Sequence, residues 1–232
     1  MKIGIIGYGS FGMFAAKALS PHAEISIYDR NNPAVSVPLD AFSNMDAIIL
    51  AVPLSSYETV IEKLKPVLNS QTLIVDICSV KVPSRDTVLK LLSSHEHILI
   101  SHPLFVPQSA ANGLRGHDIV VTDTIGPKAI KSINFMKDIL GLNVHIMTAE
   151  DHDKMMAYIH ALTFFVARGL SGLKIPNVSL QTPSFSMLQA LIDLDSNHSD
   201  DLFLTIQKGN PFAKDVRREF INELDRLDKE VN

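Results

Sequence analysis

The chain has 232 residues, 46% of them hydrophobic, and a formal net charge of −4. That length allows one large domain or two small ones with ample material for a core, and the charge offers no basic field to nucleic acid. A single cysteine, Cys78, excludes an internal disulfide and suits a reducing compartment. No apolar stretch reaches the roughly 20 residues of a membrane-spanning helix, and the N-terminal run is broken by Gly4, Gly7, Gly9 and Gly12, unlike a secretory leader. A soluble cytoplasmic protein without nucleic-acid or membrane partners is expected.

Residues 2–6 (KIGII) make one short buried strand. Gly7-Tyr8-Gly9-Ser10-Phe11-Gly12 follows at once, and a helix then runs to Leu19. This is G-x-G-x-x-G in its required context, strand before and helix after. Gly7 permits the tight turn, Gly9 lets a pyrophosphate approach the backbone, and Gly12 lets the helix pack closely on the strand. The free N–H groups of the helix start face the phosphates, so Ser10 and Phe11 join the cradle. A second strand, 24–28, ends at Asp29, about twenty residues beyond Gly7, where an acid accepts from the adenine-ribose 2′-OH. NAD is therefore expected; Arg30, able to pair with a 2′-phosphate, keeps NADP possible.

Residues 34–45, with Pro33 and Pro38 at or near their start, barely leave room for a helix, so the adenine side of the fold looks trimmed. Further strands are expected at 46–52, 72–77, 97–101, 118–122 and 143–147. Helices are expected at 55–64, around Val88, Leu91 and Leu92, and at 127–140. The alternation predicts an α/β fold, a Rossmann-type, doubly wound, mostly parallel sheet over residues 1–148. From 149 to 232 the pattern is helical throughout. Thr148, with Asp151 three residues on, caps a helix over 149–170, and others follow at 183–194, 199–207 and 211–227. The first is apolar on several sides. A module of this size does not close its own core easily, so a small helical dimerisation and substrate domain, completed by a second copy, is expected.

Ligands of an open parallel sheet bind at the carboxyl ends of its strands. Val52 and Pro53 follow the third strand, Cys78-Ser79-Val80-Lys81 the fourth, and Ser101-His102-Pro103 the fifth. His102 is the best acid/base candidate among nine histidines. Ser79 lacks the G-x-S-x-G turn of a nucleophile, and orienting His102 or a nicotinamide suits it better. Lys81 reads either as a surface lysine or as a cation for substrate. His95 and His97 suit a solvated loop, and Cys78 a small core residue. His152 and His160, eight apart, share a face of the long helix, but no carboxylate or cysteine pattern makes a metal site of them.

At these stretches the sequence resembles the prephenate/arogenate dehydrogenase family. The likeness is carried by Gly7 to Gly12, DICSVK at 76–81, HPLFVP at 102–107, His152-Asp153, YIHALTFFVARGL at 158–170 and TPSF at 182–185. It implies an NAD(P)-dependent oxidoreductase that oxidatively decarboxylates prephenate, or arogenate, in tyrosine biosynthesis, working as a homodimer. It makes His102 the catalytic residue and places Ser79 near His102 and the nicotinamide. Lys81, Asn112, His152 and His160 are the substrate-binding residues expected.

Three departures stand out. Val106 occupies a position that is commonly glycine. His160 and Phe164 stand where some members have Gln and His. Ser186 stands where some carry an arginine for the substrate's carboxylate, so Lys81, Arg115 and Arg168 become the candidate cations. Asn112, rather than an acid, follows the H-P motif, which favours prephenate over the ammonium-bearing arogenate. Ser186 and Phe164 also keep two alternatives open. One is hydride transfer to or from a different small acid; the other is an NAD-binding regulatory protein with a decayed substrate pocket, which would have no need of His102 and Ser79.

Overall fold

The computed structural model describes residues 1–176, 180–196 and 199–232. Seven short runs rich in Ile, Val and Leu form its strands: β1 (Lys2–Ile6), β2 (Glu24–Tyr28), β3 (Ala47–Leu50), β4 (Leu73–Asp76), β5 (Ile98–Pro103), β6 (Asp118–Ile125) and β7 (Asn143–Ile146). They join one sheet in the order β2-β1-β3-β4-β5-β6-β7. The pairs are parallel except β5–β6. β3, β4 and β5 are buried along their whole length, as expected of strands covered on both faces.

The period-2 alternation of a strand divides its side chains between two cores. Ile48, Leu50, Ile74, Ile98 and Ile100 pack with Tyr57, Ile61 and Leu64 of α2 (Tyr57–Leu64) and Val88 of α3 (Lys81–Leu91). Ala47, Ile49, Leu73, Val75 and Leu99 pack with Ala15 and Ala16 of α1 (Ser10–Leu19) and Ala129 and Ile133 of α4 (Gly126–Asp138). Helices therefore cover both faces, which is the doubly wound arrangement. β2 and β3 flank β1 on opposite sides, so the strand order reverses at β1, beside the glycine turn.

The trimmed adenine side is a single 3₁₀ segment, Leu39–Asn44. It inserts the fully buried Phe42 against Gly4, where a Cβ would lie 2.4 Å from the ring. The exception to parallel pairing also has a local cause. Residues 104–117 form a loop without a crossover helix, so the chain turns back and β6 runs antiparallel to β5. The register slips at a bulge between Ile100 and Ser101, one residue before His102. Bulges of this kind re-aim the neighbouring side chains. His95 and His97 are not the solvated loop that the sequence suggests. His97 is buried beside Gly126, and His95 Nε2 donates to Thr72 O at 2.6 Å; both close the amino edge of the sheet.

Beyond β7 every described element is helical. Thr148 Oγ1 accepts from Asp151 N at 3.0 Å and donates to Asp151 Oδ2 at 2.8 Å, starting α5 (Ala149–Met156). The helical run expected over 149–170 is continuous but not uniform. A π segment, Ala157–Leu162, separates α5 from α6 (Thr163–Gly172). α7 (Pro183–Ser196), α8 (Asp200–Leu204), a second π segment (Thr205–Gly209) and α9 (Ala213–Val231) complete the chain. The chain divides into two compact units, Met1–His152 and Asp153–Asn232. The second has its own small core of Ala161, Phe164, Ile206 and Ala213. The two π segments are tied by side-chain amides: Gln207 Nε2 donates to Ala161 O at 2.6 Å, and Arg217 Nη1 donates to Gln207 O and Oε1 at 2.9 and 2.7 Å.

Candidate active site

The glycine turn has the geometry its spacing predicts. Gly7 has φ +100°, and a Cβ there would lie 2.3 Å from Ala51 O. A Cβ on Gly12 would lie 2.1 Å from Gly7 O, so the helix could not approach β1 with any other residue. Gly9 is different: it caps α1 in an extended conformation, and a Cβ there would meet nothing within 4 Å. The space in front of Gly9 is open, no side chain caps α1, and the first-turn N–H groups of Ser10, Phe11 and Gly12 have no α-helical acceptor. An anion fits there.

Asp29 stands at the tip of β2. Its Oδ2 accepts from Tyr8 N and its Oδ1 from Asn31 N, each at 2.7 Å. The carboxylate is thus fixed beside the turn, and each oxygen keeps a lone pair for a ribose hydroxyl. Arg30 next to it is exposed. Val52 and Pro53 follow β3, with Val52 Cγ1 within 2.9 Å of the Cβ position of Gly7.

The turn after β4 is organised by Asp76, which is fully buried. Its carboxylate accepts four hydrogen bonds: from Tyr57 OH (2.6 Å) and Cys78 N (2.8 Å) at Oδ1, and from Lys81 Nζ (2.6 Å) and Ser84 Oγ (2.8 Å) at Oδ2. Burial, and then the Asp76 charge, push the Tyr57 phenol well above its ordinary pKa, so it stays a donor. Lys81 Nζ also donates to Ser101 O at 2.5 Å, and Ser101 Oγ returns to Asp76 O at 2.8 Å. Ser79, half-buried, sits in the turn held between these anchors.

His102 is the next residue of β5, with 5% of its surface exposed. Its Nδ1 lies 2.9 Å from Nε2 of His152, which is fully buried, and the two rings meet edge to face. Beyond β5, Phe105 packs against Phe11 and Phe14 of α1 and against His117, which ties the H-P loop to the phosphate turn. Asn112 and Arg115 are exposed on that loop, Arg115 lying against Gly141. β2, β1, β3, β4 and β5 are mutually parallel, so Asp29, the glycine turn, Val52, Pro53, Ser79 and His102 lie along one edge of the sheet.

Other expectations are corrected. Lys81 is neither a surface lysine nor a cation facing a substrate: its ammonium is committed to Asp76 and Ser101. His152 is fully buried, with its Nε2 against His102. His160 lies in the π segment of the second unit, with its ring 4.7 Å from that of Phe164. Phe164, 5% exposed, belongs to the helical core. Arg168 pairs with Asp200 at 2.9 Å and stacks over Phe203. Ser186 lies in the first turn of α7, its Oγ 3.3 Å from Thr182 O. The sequence reading missed Tyr57 and Ser84 altogether. Its one available signal was an acid closing an apolar strand with a lysine five residues on.

The glycine turn, the acid at the tip of β2 and the two-faced sheet define a dinucleotide-binding domain of the Rossmann type. Residues 16–147 match the family described as "Prephenate dehydrogenase, nucleotide-binding domain", and the chain belongs to that family. It is 29% identical over 239 residues to Arogenate dehydrogenase 1, chloroplastic, of Arabidopsis thaliana, covering 95% of this chain and 37% of that protein. It is 31% identical over 201 residues to the T-protein of Haemophilus influenzae, covering 82% of this chain and 52% of the relative. It is 30% identical over 198 residues to the cyclohexadienyl dehydrogenase of Zymomonas mobilis, covering 74% and 66%. The chain thus spans between about a third and two thirds of these relatives' lengths.

The fold is shared with solved structures at 19% identity. One is prephenate dehydrogenase from A. aeolicus in complex with hydroxyphenyl propionate and NAD+ (TM-score 0.78, covering 100% of this chain and 90% of that one). Another is Synechocystis arogenate dehydrogenase (TM-score 0.67, covering 100% and 92%).

The Asp76 cluster generates a test. Asp76→Asn keeps the volume but removes the carboxylate charge that faces the buried Lys81 ammonium, and removing one partner of a buried pair costs about 3–5 kcal/mol. Urea unfolding is expected to show a loss of that size, partly recovered in the double variant Asp76→Asn with Lys81→Met.

Proposed function

We propose that this protein is an NAD-dependent dehydrogenase that oxidatively decarboxylates prephenate or arogenate. The observation that carries the reading is the placement of a buried histidine, His102, on the same sheet edge as an open phosphate cradle at Gly9. Family membership supports it, as do relatives named for both substrates.

Gly7, Gly9, Ser10, Phe11 and Gly12 would hold the pyrophosphate and Asp29 the adenine ribose. Arg30, Val52 and Pro53 would line the same groove, and Ser79 the nicotinamide end. When bound, NAD+ supplies the acceptor for a hydride. His102 takes the proton of the C4 hydroxyl as the hydride leaves C4. It returns that proton to the ring oxygen as CO2 leaves C1 and the ring becomes aromatic. With Lys81 internal and Arg168 paired, Asn112 and Arg115 on the H-P loop are the polar groups of this unit offered for the substrate's carboxylates. Phe164 in the core and Ser186 engaged with Thr182 favour a second reading, hydride transfer to or from a different small acid. The single buried cysteine suits a reducing cytoplasm, and among the described residues no helix is long and apolar enough to cross a membrane.

A homodimer through the helical unit is part of the proposal. Ile221, Leu224, Leu227 and Val231 form an exposed apolar stripe on α9, spaced by three or four residues.

Three measurements test these statements. Purified protein with NAD+ and prephenate or arogenate is expected to produce reduced nicotinamide, and His102→Asn to lower turnover on the order of 10²–10⁴-fold with NAD+ affinity retained. No activity on either substrate moves the reading to another acid or to regulation. Calorimetry is expected to show tighter binding of NAD+ than of NADP+, because the Asp29 carboxylate repels a 2′-phosphate; the reverse order rejects it. Light scattering at micromolar concentration is expected to give a dimer's mass, and a monomer's mass rejects the dimer.

A further inference from the structure

We propose that His152 is a positioning residue that fixes the tautomer of His102, holding a proton on its Nδ1 and leaving Nε2 unprotonated. The inference rests on the reading of His102 as the base that takes a hydroxyl proton, and it assigns the reason His102 can act as one.

The two rings are joined by a single N···N contact of 2.9 Å, His102 Nδ1 to His152 Nε2. A hydrogen bond between imidazoles needs a proton on one nitrogen and a lone pair on the other. Each neutral ring has one of each, so the direction of this bond sets the tautomer of both rings. If His102 Nδ1 donates, its Nε2 carries a lone pair and can accept a proton. If His102 Nδ1 accepts, its Nε2 carries the hydrogen and can only donate. A base at His102 requires the first arrangement, with His152 as a neutral acceptor at Nε2. After proton uptake the His102 imidazolium keeps its Nδ1–H on His152, and the proton returns from Nε2 to the product oxygen.

Both rings stand on fixed backbone, which is what positioning needs. His102 follows Ser101, whose carbonyl accepts from Lys81 and whose hydroxyl donates to Asp76 O, directly after the β5 bulge. His152 lies in the first turn of α5, with its N–H on Thr148 O. That turn is anchored by the Thr148–Asp151 cap and by a two-pronged contact from Arg85 of α3 to Glu150, at 2.9 and 3.0 Å. The position of His152 is therefore set from α3 and from its own helix start. Neither ring is on a loop, and both are buried.

The test reads the tautomer itself, in full-length protein without substrate. Long-range ¹H–¹⁵N NMR of ¹⁵N-histidine protein, with His102 assigned by its loss in His102→Asn, is expected to show the Nδ1–H form in the wild type. His152→Gln, whose carboxamide oxygen can accept near the place of Nε2, is expected to keep that form. His152→Phe is expected to lose it. Turnover is expected to fall ~10- to 100-fold in His152→Phe with KM for NAD+ unchanged, and to recover to within about threefold of wild type in His152→Gln. A wild-type His102 protonated at Nε2 overturns the proposal, as does an unchanged Nδ1–H form in His152→Phe. The wild-type spectrum decides even if His152→Phe does not fold. Should the tautomer follow His152 while the wild type turns over neither substrate, the positioning stands and the proposed reaction fails.

Discussion

The carboxylate of Asp76 is the constraint on which the catalytic edge depends. A charge this deep in an apolar sheet is tolerated only when hydrogen bonds and a countercharge surround it. Here the partners come from α2 (Tyr57), the β4–α3 turn (Cys78 N) and α3 (Lys81 and Ser84), and Lys81 continues to β5 through Ser101 O. Each partner also fixes the element that carries it. The cluster thereby sets the path of residues 77–80 and the start of His102's strand end, so Ser79 and His102 inherit their positions from a fully buried group. A neutral polar cluster could have filled the space. The ion pair adds a requirement that α3 and β4 keep one register, since any slip strands a buried charge.

What the sequence reveals divides along a physical line. The glycine turn is legible because its chemistry is backbone chemistry: Gly7 needs a positive φ and Gly12 a close approach, and only glycine satisfies either. The central strands β3, β4 and β5 are legible because burial on both faces produces apolar runs. The antiparallel entry of β6 is not, because it follows from the absence of a helix in residues 104–117, and a short loop has no periodicity to read. Lys81 misleads for a related reason. Sequence gives its distance from Asp76 along the chain, but only the turn geometry shows the ammonium folding back onto it.

The helical unit adds a second kind of invisibility. Two π segments interrupt otherwise regular helices, and nothing in hydrophobic spacing marks a turn wound at i→i+5. What marks them here is the side chain that satisfies the displaced backbone. Gln207 reaches the Ala161 carbonyl and is itself held by Arg217, while Asn210 Nδ2 donates to Asp153 O. Buried Gln and Asn in a small helical core are costly unless they complete such bonds. A polar residue in an apolar stripe is therefore the one trace these segments leave in the sequence.

The two kinds of recognition on the sheet edge also rest on different levels of structure. The cradle at Gly9 binds through N–H groups and a helix end, which every sequence with the right glycines presents. The Asp29 carboxylate is held by backbone N–H groups of Tyr8 and Asn31, so its placement too depends on the turn more than on neighbouring side chains. His102 depends on one more level of structure, since an imidazole is a base at a given nitrogen only when the other nitrogen's proton is placed. Substrate carboxylates depend on still more, on long cations whose partners decide whether they face outward. Lys81 is turned to the buried Asp76 carboxylate, and Arg168 pairs with the exposed Asp200. Each step from backbone to paired side chain to free cation adds a contact that must be seen to be known. The cofactor end of the site is accordingly the part sequence defines best, and the substrate's charged groups the part it defines least.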